Sequence, residues 1–141
     1  MSVKQFLSSA KTKDELTVYL SEKTLLHFKD KPKVFIVTSR QEVLSNSVDF
    51  KHLCSSQEEA DTRIILHSLD VSRRGATELY IQSPDTDVFV FAIHRYHELC
   101  RNTYFVTGVG NLKRVIPFGP IVNALGTAKT EALLGFHAFT G

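Results

Sequence analysis

Two pairs of carboxylates, each interrupted by a single residue, stand out in the chain: Glu59-Ala-Asp61 and Asp85-Thr-Asp87. Side chains of this type offer hard oxygen donors, and several of them brought together repel one another unless a cation sits between them. Mg2+ and Mn2+ suit such a donor set because they prefer carboxylate oxygen and keep several of their waters. A cation held in this way activates a water and polarises a phosphodiester. The chemistry open to Glu59, Asp61, Asp85 and Asp87 is therefore metal-assisted hydrolysis. The competing role is structural. Acids favour the positive end of a helix, and Glu59 has the spacing to close a capping box with Ser56. Taken singly, each pair is more often a helix-start feature than a catalytic one, so placement decides the matter.

The elements around the acids give that placement. Ser56 is expected to open a helix that carries Ile64, Ile65, Leu66 and Leu69 as its apolar stripe and stops at Gly75. Leu79-Tyr-Ile-Gln82 reads as a strand. Ser83-Pro84 reads as the start of a further helix, with proline suited to its first position. One pair then lies in the first turns of a helix that follows a strand, and the other directly follows a strand. Both are expected on the carboxyl edge of one sheet, where open α/β sheets bind ligands.

The remaining patterning extends the same architecture. A helix is expected over 4–28, with a capping box from Thr12 to Glu15, an apolar face of Leu16, Tyr19, Leu20 and Leu26, and Pro32 closing the segment. Further strands are expected over 33–38, 103–107 and 113–118, with a hairpin turn at Gly108-Val-Gly-Asn111, and further helices over 120–125 and 127–139. The alternation of strands and helices predicts an α/β fold with a mostly parallel central sheet and flanking helices. It is read as one domain, with an N-terminal helical segment over 1–32 and an α/β core over 33–141.

Composition narrows the function classes. At 141 residues, 43% hydrophobic and 23% charged, the chain has the size and make-up of a single globular domain rather than of a disordered segment. Its 17 basic and 15 acidic residues leave a net charge of only +2, too little for general electrostatic binding of nucleic acid. Contact with DNA or RNA would have to be local, through a patch or a metal. Cys54 and Cys100 make neither a disulfide framework nor a structural zinc site, and are read as reduced thiols of an intracellular protein. The first residues lack the apolar core of a signal peptide, and no run approaches the roughly 18 apolar residues of a membrane span.

Three blocks in order, Glu59-Ala-Asp61-Thr-Arg-Ile, Ser83-Pro-Asp-Thr-Asp87-Val and Leu133-Leu-Gly-Phe-His-Ala-Phe-Thr-Gly141, resemble the PIN-like superfamily. The resemblance runs through uncharacterised animal reading frames associated with mobile elements, which are distantly similar to flap-endonuclease-type 5′ nucleases. It covers most of the chain and is strongest from Ser55 to Gly141. It implies a Rossmann-like three-layer fold and a nuclease-like site for Mg2+ or Mn2+. In flap endonucleases a Glu-x-Glu pair and an Asp-x-Asp pair bind two metals. The resemblance gives Glu59 and Asp61 the first role, with Asp61 one methylene shorter than the pattern, and Asp85 and Asp87 the second. The family's first strand, which ends in a metal-binding Asp, has no counterpart upstream of Glu59, and the relatives continue past Thr-Gly with another acid. The expectation is thus a partial PIN-like domain. It carries two functional readings: a metal-dependent phosphodiesterase acting on DNA or RNA, or a non-catalytic PIN-like remnant or protein-interaction module.

Other features weigh less. His94 and His97 stand one helical turn apart and could pair on zinc, but no third ligand is evident and a solvated face is the more ordinary reading. Arg73-Arg74 and Lys113-Arg114 read as solvated basic pairs. An Asp-x-Asp after a strand also suits a haloacid-dehalogenase-like phosphatase, yet too few acids follow Asp87 for that chemistry. His52, His67 and His137 find no partner by spacing.

Overall fold

A computed structural model describes residues 2–39, 42–47, 50–53 and 60–140. Among these, six α-helices and five strands form two compact units, Met1–Glu58 and Glu59–Gly141. No described helix is long and apolar enough to cross a membrane.

The first unit holds α1 (Val3–Phe6), α2 (Ala10–Phe28) and an antiparallel hairpin of β1 (Ile36–Ser39) and β2 (Glu42–Ser45). The capping box that forms is that of Ser2 and Gln5, which opens α1. Thr12 lies inside α2, whose N-cap is Ser9, because the chain re-enters the helix before the expected start. The expected apolar face of α2 is largely exposed: Tyr19, Leu20 and Leu26 each stay more than half open, and the buried residue is Ser21. A two-stranded hairpin is too narrow to cover the whole stripe. What ties the hairpin down is Asn46. Its Oδ1 accepts from Phe35 N at 2.7 Å, and its Nδ2 donates to Lys33 O at 2.7 Å and Phe28 O at 2.9 Å.

The second unit runs α3 (Ala60–Arg73), β3 (Glu78–Gln82), α4 (Thr86–His94), β4 (Asn102–Thr107), β5 (Arg114–Pro117), α5 (Phe118–Leu125) and α6 (Thr127–Thr140). Its three-stranded sheet has the order β3-β4-β5, with β3 and β4 parallel and β4 and β5 antiparallel. The sheet is therefore mixed, not mostly parallel. A parallel pair needs a crossover, which α4 supplies, whereas the short connection after Thr107 can only turn back. That turn contains Gly108 at φ +80, a left-handed conformation that suits glycine.

One core fills this unit. Ile65 and Leu69 from α3, Ile81 from β3, Val88, Ala92 and Ile93 from α4, Phe105 from β4 and Phe118 from α5 are all buried together. The rings of Phe89, Phe105 and Phe118 meet at centroid distances of 5.1 to 6.1 Å, within the range of favourable aromatic pairs. Period-two alternation along the strands sends Ile81 and Phe105 into this core and places Tyr80 and Tyr104 on the opposite face. There the two rings stack at 5.0 Å. The overall result is an α/β protein whose second unit places two helix starts, those of α3 and α4, beside the carboxyl end of β3.

Candidate metal centre

The site begins where β3 ends. Ser83 follows the strand, is buried, and donates its backbone N–H to Val106 O at 3.2 Å, which prolongs the pairing with β4. Its hydroxyl accepts from Asp85 N at 3.1 Å. Asp85 then takes the extended conformation of an N-cap, with φ −93 and ψ 128, and its carboxylate accepts from Asp87 N at 2.9 Å. The helix therefore starts after Asp85 and not at Pro84. A carboxylate able to cap the first turn outcompetes the preset φ of the proline. One of the predicted site residues is thus also a structural cap.

Asp87 sits in the first turn of α4 and Asp61 in the first turn of α3. Together with Asp85 they bring one carboxylate oxygen each to within 4.8 Å of one another. Three of the four acids singled out by sequence therefore converge. The fourth, Glu59, lies outside the described residues, as do Ser56 and the capping box expected there. Asp85 is exposed, and Asp61 and Asp87 are half-buried, so the cluster opens to solvent.

The donor set fits a hard divalent cation. Oxygens on opposite sides of one ion, each at about 2.1 to 2.4 Å, stand no more than about 4.8 Å apart, so three carboxylates within 4.8 Å of one another are close enough to share a single cation. All the donors are charged oxygens, the chemistry that suits Mg2+, Mn2+ or Ca2+ rather than a soft metal. Open access leaves room for the waters that such ions retain.

A fourth side chain meets the cluster from far along the sequence. His137 on α6 places Nε2 2.6 Å from Asp87 Oδ1. An ionised carboxylate only accepts, so the imidazole donates from Nε2. Sequence spacing offers no partner for His137, because the contact joins residues fifty positions apart. The one available signal is the block Leu133–Gly141, which contains this histidine.

The histidine pair considered for zinc does not share a helix. Helix α4 ends at His94, and His97 lies in the separate turn Tyr96–Glu98 with a largely exposed side chain. Among the described residues, Asp61, Asp85 and Asp87 form the group of three or more potential ligands close enough to share an ion. Cys100 is a half-buried free thiol, and Cys54 lies outside the described residues.

No family model matches the chain, and no curated protein or solved structure matches it either.

Proposed function

We propose that the second unit is a PIN-like, nuclease-related domain whose acidic cluster holds Mg2+ or Mn2+ and acts on the phosphodiester backbone of DNA or RNA. The observation that carries this reading is the approach of Asp61, Asp85 and Asp87 to within 4.8 Å of one another beside the carboxyl end of β3. Acids from two helix starts have no need to meet for capping alone. The resemblance of the three sequence blocks to the PIN-like superfamily adds the three-layer, Rossmann-like architecture and the nucleic-acid substrate class.

In this reading Asp61, Asp85 and Asp87 bind the cation, and Glu59 belongs to the same set by the resemblance. When bound, the cation supplies the positive charge that activates water and offsets charge developing on a phosphate. The chain's own contribution is positional. Asp85 is fixed by its capping bond, and Asp87 follows from the first turn that this bond creates. With a net charge of only +2, the protein relies on this local centre rather than on a broad basic surface to meet phosphate.

A second reading is a non-catalytic PIN-like remnant or protein-interaction module. It is favoured by the structural employment of two acids: Asp85 caps α4 and Asp87 is paired with His137. One experiment separates the two. The purified chain is incubated with flap, single-stranded and duplex substrates in the presence of Mg2+ or Mn2+. Cleavage that disappears with EDTA and in Asp85→Asn/Asp87→Asn supports the nuclease reading. A folded chain that binds the cation yet turns over none of these substrates leaves the non-catalytic module.

A further inference from the structure

We infer that His137 is a positioning residue for the metal centre, one that orients the Asp87 carboxylate from outside the ligand set. The inference rests on the reading of Asp61, Asp85 and Asp87 as cation ligands, and concerns how that site is held.

Three observations carry it. First, the imidazole contacts the side chain of Asp87 at 2.6 Å but does not join the group of atoms lying within 4.8 Å of one another. It stands behind one ligand rather than among the ligands. Second, helix capping does not account for the contact. The cap of α4 uses the Asp85 carboxylate and the Asp87 backbone, which leaves the Asp87 carboxylate free of any duty in the cap. Third, the position of His137 is built into the fold. Helix α6 packs against α4 and α5, and Leu133, one turn before His137, packs on the main core. At the other end of the helix Thr130 is buried, and its hydroxyl donates to Gly126 O at 2.8 Å. Docking of α6 therefore delivers the imidazole to Asp87.

The physical consequence concerns orientation. The Asp87 side chain is about half open, at 48%, and without a partner its carboxylate samples several rotamers. A donor on Oδ1 selects one of them before the cation arrives. Outer-sphere partners of this kind typically change metal affinity by about 10- to 100-fold when removed.

The test is a Mn2+ titration of the full chain followed by electron paramagnetic resonance, with the fold of each variant checked by near-ultraviolet circular dichroism in EDTA. His137→Ala is expected to weaken Mn2+ binding by about 10- to 100-fold. His137→Gln, whose amide can still donate to Asp87, is expected to recover most of that loss. His137→Asn, which is shorter, is expected to behave like the alanine variant and serves in its place should that variant not fold. In an Asp87→Asn background, His137→Ala is expected to change binding little further. Wild-type affinity in His137→Ala and His137→Asn would overturn the role assigned to His137, and so would an equal loss in the Asp87→Asn background. Failure of the wild type to bind Mn2+ at all is a different result: it removes the metal reading, and the positioning role with it.

Discussion

His137 Nε2 lies 2.6 Å from Asp87 Oδ1, so the last helix of the chain is fastened to the first turn of α4 at the edge of the acidic cluster. This contact joins the α6 end of the second unit to the residues with the chemistry of a metal site. Several consequences of the surrounding geometry can be measured.

In the proposed metal reading Asp85 serves two purposes, cap and cation ligand, that substitution can separate. Asp85→Ala removes both the cap of α4 and one cation ligand, and is expected to lower stability in EDTA by about 0.5–2 kcal/mol. Asp85→Asn keeps a capping oxygen and is expected to stay near wild type in EDTA, because Asn caps as well as Asp. Both variants are expected to lose most of the stabilisation that divalent cations give the wild type. That gain should reach about 2.7 kcal/mol at a cation concentration one hundred times its Kd. Thermal unfolding with and without Mg2+ or Mn2+ reads both effects. An Asp85→Asn variant as unstable in EDTA as Asp85→Ala would show that the cap is not what Asp85 supplies.

Gly108 and Gly75 both take positive φ, +80 and +92, yet they differ in surroundings. A Cβ at Gly108 would stand 2.1 Å from Leu112 O, while one at Gly75 would meet nothing within 4 Å. Gly75→Ala is expected to cost about 1–2 kcal/mol, the penalty of a left-handed residue. Gly108→Ala adds a clash with backbone and is expected to cost clearly more, since the turn into β5 must shift. Urea unfolding of the two variants side by side checks the ranking, and equal losses would refute it.

Phe118 is fully buried and touches the rings of Phe89 and Phe105. Phe118→Ala is expected to lose about 3–5 kcal/mol, the usual result of emptying a large aromatic site. A loss below about 1 kcal/mol, measured by chemical unfolding, would mean that the core closes over the gap.

The Arg95 guanidinium, which donates to Glu98 Oε2 at 3.0 Å, holds the Glu98 carboxyl below the usual glutamate value of 4.5. Burial opposes this, and His97 and Arg73 reinforce it. A carboxyl lowered in the folded state stabilises the protein above its unfolded value and loses that contribution as pH falls through the folded one. The stability difference between wild type and Glu98→Gln is therefore expected to be open near neutral pH and to close in acid. Unfolding midpoints collected across this range provide the check, and a difference independent of pH would count against it.

Much of this organisation is legible in the sequence, and the reasons it is so differ by element. The short runs Leu79–Gln82 and Thr103–Thr107, rich in β-branched and aromatic residues, form strands whose alternation sends Ile81 and Phe105 into the core and Tyr80 and Tyr104 to the other face. Strand-then-helix order places Asp85 and Asp87, which follow β3, at its carboxyl end. Asp61 meets them there by another route, because α3 precedes β3 and no strand of this sheet comes before it. Helix starts are less readable. Ser2 and Asp85 cap their helices through their side chains and Ser9 holds the N-cap position of α2, whereas Thr12 and the Ser83-Pro84 start carry equally good local signals and open no helix. Nothing local distinguishes these candidates, since the choice depends on where tertiary packing places the first turn. The exposed stripe of α2 is illegible for a similar reason, because the pattern says what could be buried and not what is there to bury it. His137 is the clearest case: its partner is fixed by the docking of α6, a relationship that no short-range period encodes.

The antiparallel pairing of β4 with β5 bears on the order in which the second unit assembles. The strands of this hairpin are neighbours in the chain, while β3 must find β4 across the whole of α4. Bringing Asp61, Asp87 and His137 together requires α3, α4 and α6 all in place. Loop-closure entropy makes distant contacts late ones, so the hairpin should zip early and the acidic cluster should close last. In the proposed metal reading, cation binding is expected to report completed folding. In refolding experiments helical signal should return before Mn2+ affinity does, and simultaneous recovery would show that the cluster forms with the helices themselves.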